Sequence, residues 1–161
     1  MNAKNRTVAF TGHRKISWTV RAGLKYRIAS CVKSMYEEGI TDFICGAALG
    51  FDLLAAEVVL SLREEIPGIR LVCVLPYRAQ AEHWSQAEQS RHQKVVSRAD
   101  ETVVLSEHYF DGCFLRRNDY MLKRSSAVIA YFNGQPKGGT FYTFRKAFAS
   151  GLRVVNLYFQ R

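Results

Sequence analysis

The 161-residue sequence predicts a three-layer α/β domain built on a mainly parallel sheet of about six strands. Three observations predict it. Short β-rich runs alternate with longer segments of helical periodicity along the whole chain, and no repeat, linker or charge block interrupts them. The connections are too long for hairpins, so right-handed crossovers must join the strands. Runs such as Leu71-Val72-Cys73-Val74-Leu75 are apolar at every position, as strands covered on both faces require.

The elements follow in order. Residues 7–10 read as the first strand, ended by Thr11-Gly12-His13-Arg14. From 18 to 38 the apolar positions Val20, Leu24, Ile28, Cys31 and Met35 recur at helical spacing, and Gly39 stops the helix. Residues 42–45 form a second strand, followed by the turn Gly46-Ala47-Ala48-Leu49-Gly50. The next helix, 51 to about 65, is apolar round much of its circumference and ends at Pro67-Gly68. A third strand covers 69–75 and closes at Pro76; a polar helix covers roughly 81–99; a fourth strand covers 102–105. A helix over 113–125, a strand over 127–132, a helix over 140–150 stopped by Gly151, and a strand over 154–158 complete the pattern. The result is a Rossmann-like arrangement in one domain spanning residues 1–161.

Composition narrows the function. Net charge is +9, from 23 basic and 14 acidic side chains, which favours anionic partners: nucleic acid, nucleotides or phosphate-bearing metabolites. No apolar run approaches the roughly 20 residues of a membrane span, and the first residues lack the apolar core of a signal peptide. A cytoplasmic protein is expected, with no membrane partner. Cys31, Cys45 and Cys73 sit in apolar periodic segments and read as small core residues, while Cys113 opens a helix. No C-x-x-C, H-E-x-x-H or G-x-S-x-G occurs, so neither a metal site nor a nucleophile is named.

Ligands of open parallel sheets bind beyond the carboxyl ends of the strands. The turns expected there are Gly12-His13-Arg14, the segment from Gly46 through Gly50 to Asp52, and the segment from Gly134 to Thr140. Two of them lead into helices, which offers free N–H groups and a positive helix end. The Gly46–Gly50 turn lacks the Lys-Ser/Thr of a P-loop and the spacing of a dinucleotide fingerprint, so it reads equally as a phosphate or ribose site and as a tight turn. Asp52 has two readings, a helix cap or a carboxylate contacting a sugar hydroxyl. Gly138-Gly139-Thr140 after Lys137 reads as a phosphate loop or as a loop with a Thr cap. His13 and Arg14 read as an anion pair or a solvated turn. Glu57 lies about 140° round the helix from Asp52, so the two are no preformed acid/base pair. In the helix over 113–125, Phe114, Leu115, Met121 and Leu122 form an apolar stripe with Asn118 in its middle and Arg117 at its edge. An inward polar side chain must find partners, either by tying down a loop or by facing the site.

Taken together, Ala9-Phe10-Thr11-Gly12-His13-Arg14, the run from Gly46 to Glu57, Leu75-Pro76-Tyr77 with Gln80 and Trp84, Arg117-Asn118-Asp119-Tyr120-Met121, and Gly138-Gly139-Thr140 resemble the SLOG superfamily, most closely its YpsA-like branch. That Rossmann-like group includes the Lonely Guy phosphoribohydrolases and the DNA-processing protein DprA. The resemblance implies a pocket for a nucleotide or nucleotide-derived ligand, ADP-ribose or NAD among them, in a binding or sensing role. It also implies two alternatives: DprA-like binding of single-stranded nucleic acid, which the charge suits, and N-glycosidic hydrolysis. Hydrolysis is disfavoured, because Thr143 stands where Lonely Guy enzymes carry a catalytic Glu, leaving no carboxylate there to stabilise an oxocarbenium-like sugar. Cys45 stands where the branch often has another glycine. Relatives that pair through helices make a homodimer a further expectation. The expected ligand-binding residues are Gly12, His13, Arg14, Gly46, Gly50, Asp52, Arg117, Asn118, Gly138, Gly139 and Thr140, with no metal.

Overall fold

Successive residues of a strand point to opposite faces of its sheet, and in this chain both faces are apolar. The computed structural model describes residues 2–159. Its strands are β1 (Thr7–Gly12), β2 (Asp42–Cys45), β3 (Arg70–Leu75), β4 (Glu101–Val104), β5 (Ala127–Tyr131) and β6 (Arg153–Asn156). Its helices are α1 (Trp18–Glu37), α2 (Phe51–Glu65), α3 (Gln86–Arg98), α4 (Cys113–Lys123) and α5 (Gly138–Ala149). Val8, Phe10, Phe43, Cys45, Leu71 and Cys73 enter one core beneath α1, α2 and α3. Their strand neighbours Ala9, Ile44, Val72 and Val74 enter a second core with Met121 and Leu122 of α4 and Ala147 of α5. Three layers follow from that alternation.

The sheet has six strands, all parallel, in the order β4-β3-β2-β1-β5-β6. The chain steps outward from β1 to β4, then crosses back through α4 to lay β5 on the other side of β1. Strand order therefore reverses between β1 and β5, which pair from Val8↔Ala127 to Gly12↔Tyr131. Their connections leave to opposite faces, and the rim between them opens into a crevice.

Several boundaries differ from expectation for local reasons. Helix α3 starts at Gln86 and not near 81, because Ser85 and Glu88 form a reciprocal capping box while residues 79–84 turn on their own backbone. Helix α5 starts at Gly138, so Thr140 is its third residue and not its cap. Strand β6 ends at Asn156, whose side chain bonds the backbone of Phe132. Leu115 is exposed, off the apolar stripe assigned to it. All four cysteines are free thiols; Cys45, Cys73 and Cys113 are buried and Cys31 is half-buried. Among the described residues, no helix is long and apolar enough to cross a membrane, and no group of three or more His, Cys, Asp or Glu is placed to hold a metal ion.

Candidate functional site

A cleft of about 280 Å³ opens at the β1/β5 reversal. Its walls come from three separated stretches: Phe10–Arg14 at the end of β1, Ala48 and Asp52 at the start of α2, and Lys137–Thr140 entering α5, with α4 adding Phe114, Arg117 and Asn118. Nine of the eleven sequence-expected residues thus line one hollow: Gly12, His13, Arg14, Asp52, Arg117, Asn118, Gly138, Gly139 and Thr140.

Gly46 and Gly50 do not line it; packing requires them. A Cβ on Gly46 would run into the Arg117 guanidinium. Gly50 has φ +80, and a Cβ there would strike the carbonyls of His13 and Arg14. That close approach lets the Phe51 amide donate to the His13 carbonyl at 3.0 Å, pinning the β1–α1 loop to the start of α2.

Arg117 is buried, and its Nη1 donates to the carbonyls of Gly46 (2.6 Å) and Val74 (3.4 Å) while Nε donates to Asn118 Oδ1 (2.8 Å). Burial lowers its pKa, opposed chiefly by the charge of Asp52, and a guanidinium keeps its proton even so. Because Asn118 Oδ1 is engaged, its Nδ2 is the group left with donors to spare, and it lies 3.9 Å from where a Gly139 Cβ would sit. The inward-facing Asn and Arg therefore do both things considered for them: they tie down the Gly46 turn and they face the cleft. A second brace was not legible in the sequence. Buried Gln80 donates from Nε2 to the same Gly46 carbonyl (3.0 Å), which leaves its Oε1 to accept from His92 Nε2 (3.1 Å). His92 is packed edge-on to Trp84 and burial lowers its pKa. In the sequence, Gln80 and Trp84 stand only among the residues that carry the family resemblance.

Asp52 is the one carboxylate on the cleft wall among the described residues. It does not cap α2, whose N-cap is Gly50; its Oδ2 accepts from the Ala48 amide at 3.4 Å. Burial lifts its pKa to about 6, although Arg117, the Ala48 and Gly46 amides and Arg14 all favour the anion. Glu57 is elsewhere, held by both oxygens to Arg91. Thr143 is buried and its Oγ1 donates to the Gly139 carbonyl. Among the described residues, no second acid lines the cleft with Asp52.

The opposite wall is made of donors. Helix α5 has no side-chain cap and no acidic residue in its first turn, so its leading N–H groups face the cleft unopposed. Gly138 has φ +89, a conformation that leaves the turn open to glycine. Lys137 is exposed beside it; Arg14, exposed on the β1–α1 loop, holds its guanidinium 5.1 Å from the Phe114 ring centre. His13 is not part of that charge. Its Nε2 accepts the Asn133 amide at 2.8 Å, its ring packs near Phe132, and burial lowers its pKa. It is a neutral brace for the β5–α5 loop.

An all-parallel sheet with a donor-lined cleft at its order reversal is the architecture of Rossmann-like domains. This chain belongs to the YspA SLOG family, whose model matches residues 9–153. A UPF0398 protein of Shouchella clausii is 30% identical over 127 residues, covering 77% of this chain and 68% of that protein. A UPF0398 protein of Bacillus velezensis is 25% identical over 126 residues, covering 77% and 69%. Among solved structures, DNA processing protein A from Helicobacter pylori, described as binding single-stranded DNA, matches with a TM-score of 0.60 at 19% identity. That match covers 94% of this chain and 64% of the other. The structural-genomics target TM1055 matches with a TM-score of 0.56 at 18% identity, covering 92% and 72%. These two likenesses concern the fold.

Proposed function

We propose that the cleft binds a nucleotide-type ligand. The observation that carries this reading is its polarity: an uncapped helix start with Lys137 beside it, Arg14 on the lining, and a buried carboxylate, Asp52. A phosphate suits the N–H groups of Gly139 and Thr140, a sugar hydroxyl suits Asp52 as acceptor, and the Asn118 amide supplies a donor between them. Phe114 offers an apolar surface for a base or sugar face. With Asp52 as the lone acid, binding is better supported than hydrolysis, which needs a paired acid and base.

Isothermal titration with adenosine monophosphate, ADP-ribose and NAD tests it. Heat is expected with at least one, reduced about tenfold in affinity by Asn118→Ala, which removes one buried donor. Absence of heat with every member overturns the reading.

The likeness in fold to a protein described as binding single-stranded DNA, together with the net charge of +9, supports a second reading in which the same cleft holds part of a strand. Affinity for a short single-stranded oligonucleotide should then fall linearly in log–log form with salt. No binding at low salt removes that reading.

A further inference from the structure

The β1–α1 loop is a ridge that borders the cleft and two further hollows. One of these lies on the Tyr131 and Tyr158 side. The second hollow, about 250 Å³, is lined by Arg14, Lys15, Arg21, Arg91 and Glu88 over an apolar floor that includes Leu49 and Leu54. Its charges are unevenly matched. Arg91 is held by Glu57, and Glu88 is engaged by the Ser85 amide in the α3 capping box. Lys15 and Arg21 are exposed and have neither a hydrogen bond nor an ion pair among the described residues. Four cations therefore face one lining carboxylate, and the Glu57 carboxylate behind Arg91 is already spent on it. Arg14 lines both the cleft and this hollow.

We infer that this second hollow is a phosphate subsite for the same ligand, so that the cleft's occupant carries two phosphates on either side of the loop ridge. The inference rests on the nucleotide reading of the cleft. The ridge sets the ligand's chemistry. One backbone is about 5 Å thick at closest packing, and two phosphorus atoms that share a single oxygen sit too close together to span it. The phosphates must be separated by at least a sugar, as in a nucleoside 3′,5′-bisphosphate or two successive links of a strand. Asp52 faces the cleft beside the ridge, where that sugar would cross.

Amide-resolved NMR titration with adenosine 3′,5′-bisphosphate and with adenosine monophosphate tests this. The bisphosphate is expected to move amides of both the Gly139–Thr140 turn and the Lys15–Arg21 segment, and to bind about tenfold tighter than the monophosphate. In Lys15→Ala/Arg21→Ala, whose replaced side chains make no bonds within the protein, that affinity ratio should fall to near one at unchanged melting temperature. Movement of the Gly139–Thr140 turn alone with both probes overturns the subsite and leaves the cleft reading standing. Movement of the Lys15–Arg21 segment alone overturns both the bridging ligand and the cleft reading, as does no movement at all. A 5′-phosphorylated thymidine dinucleotide binding tighter than the bisphosphate assigns the paired phosphates to a strand; the reverse order assigns them to a free nucleotide.

Discussion

Asp52→Asn isolates the cost of the buried carboxylate. In the folded chain burial raises the Asp52 pKa from its ordinary 3.8 to about 6. Between those two values the folded protein keeps a proton that the unfolded chain has released, so stability declines as pH rises through the window and levels off above it. The full difference, from 3.8 to about 6, corresponds to about 3 kcal/mol at neutral pH. That is a large fraction of the roughly 5–15 kcal/mol that holds a domain of this kind together. Asparagine keeps an oxygen to accept the Ala48 amide but cannot ionise. Urea unfolding of both proteins at pH 4.5 and 7.5 measures the effect. The variant is expected to gain up to about 3 kcal/mol at pH 7.5 and much less at pH 4.5, with its pH slope across the window removed. An equal gain at both pH values, or a loss at pH 7.5, refutes the reasoning. A confirmed gain means that the natural residue is held against the fold's own preference, as residues kept for a binding task are.

Two further outcomes follow from the bracing. Gly46→Ala places a methyl against the Arg117 guanidinium, which three acceptors hold in place, so the ordinary gain from such a change gives way to a loss of about 2–4 kcal/mol. Thermal unfolding checks it, and Arg117→Met in the same chain should cost less than the two changes summed; a Tm at or above the wild type contradicts the packing account. His13 should be neutral with its proton on Nδ1 at pH 6.5, since burial lowers its pKa and Nε2 is occupied as an acceptor. This group contributes stability that is present above 6.5 and lost as pH falls through its folded pKa. Imidazole nitrogen shifts report the tautomer directly, and titration at or above 6.5 would show the brace to be misassigned.

The fold was legible because its signals are periodic. Strands such as 71–75 announce burial on both faces, and Gly39 and Gly151 end helices where left-handed conformations occur, with φ of 103° and 75°. The cleft was legible in part for the same reason, because strand ends in a parallel sheet share one rim. What sequence spacing could not separate was a glycine that approaches a ligand from one that approaches another part of the protein. Gly46 and Gly139 look alike as letters, yet the first is pressed by Arg117 and the second opens on the cleft. The Gln80–His92 brace was invisible because it depends on a residue pair meeting across the β2–α2 and β3–α3 connections at the Gly46 carbonyl. The neutral state of His13 was equally hidden, since it depends on an amide 120 residues away.

Arg117 sits in α4, the crossover that carries the chain back over the sheet, and its guanidinium is fastened to the carbonyls of Gly46 and Val74, which precede it. Behind the cleft lies a clasp between the crossover helix and the ends of β2 and β3, and neither part can display it unaided. Under the nucleotide reading, an occupant recognises only the closed clasp, and at a hundredfold excess over its dissociation constant it would add about 2.7 kcal/mol to that union. On that reading, filling the cleft would report that the crossover helix has docked on the sheet.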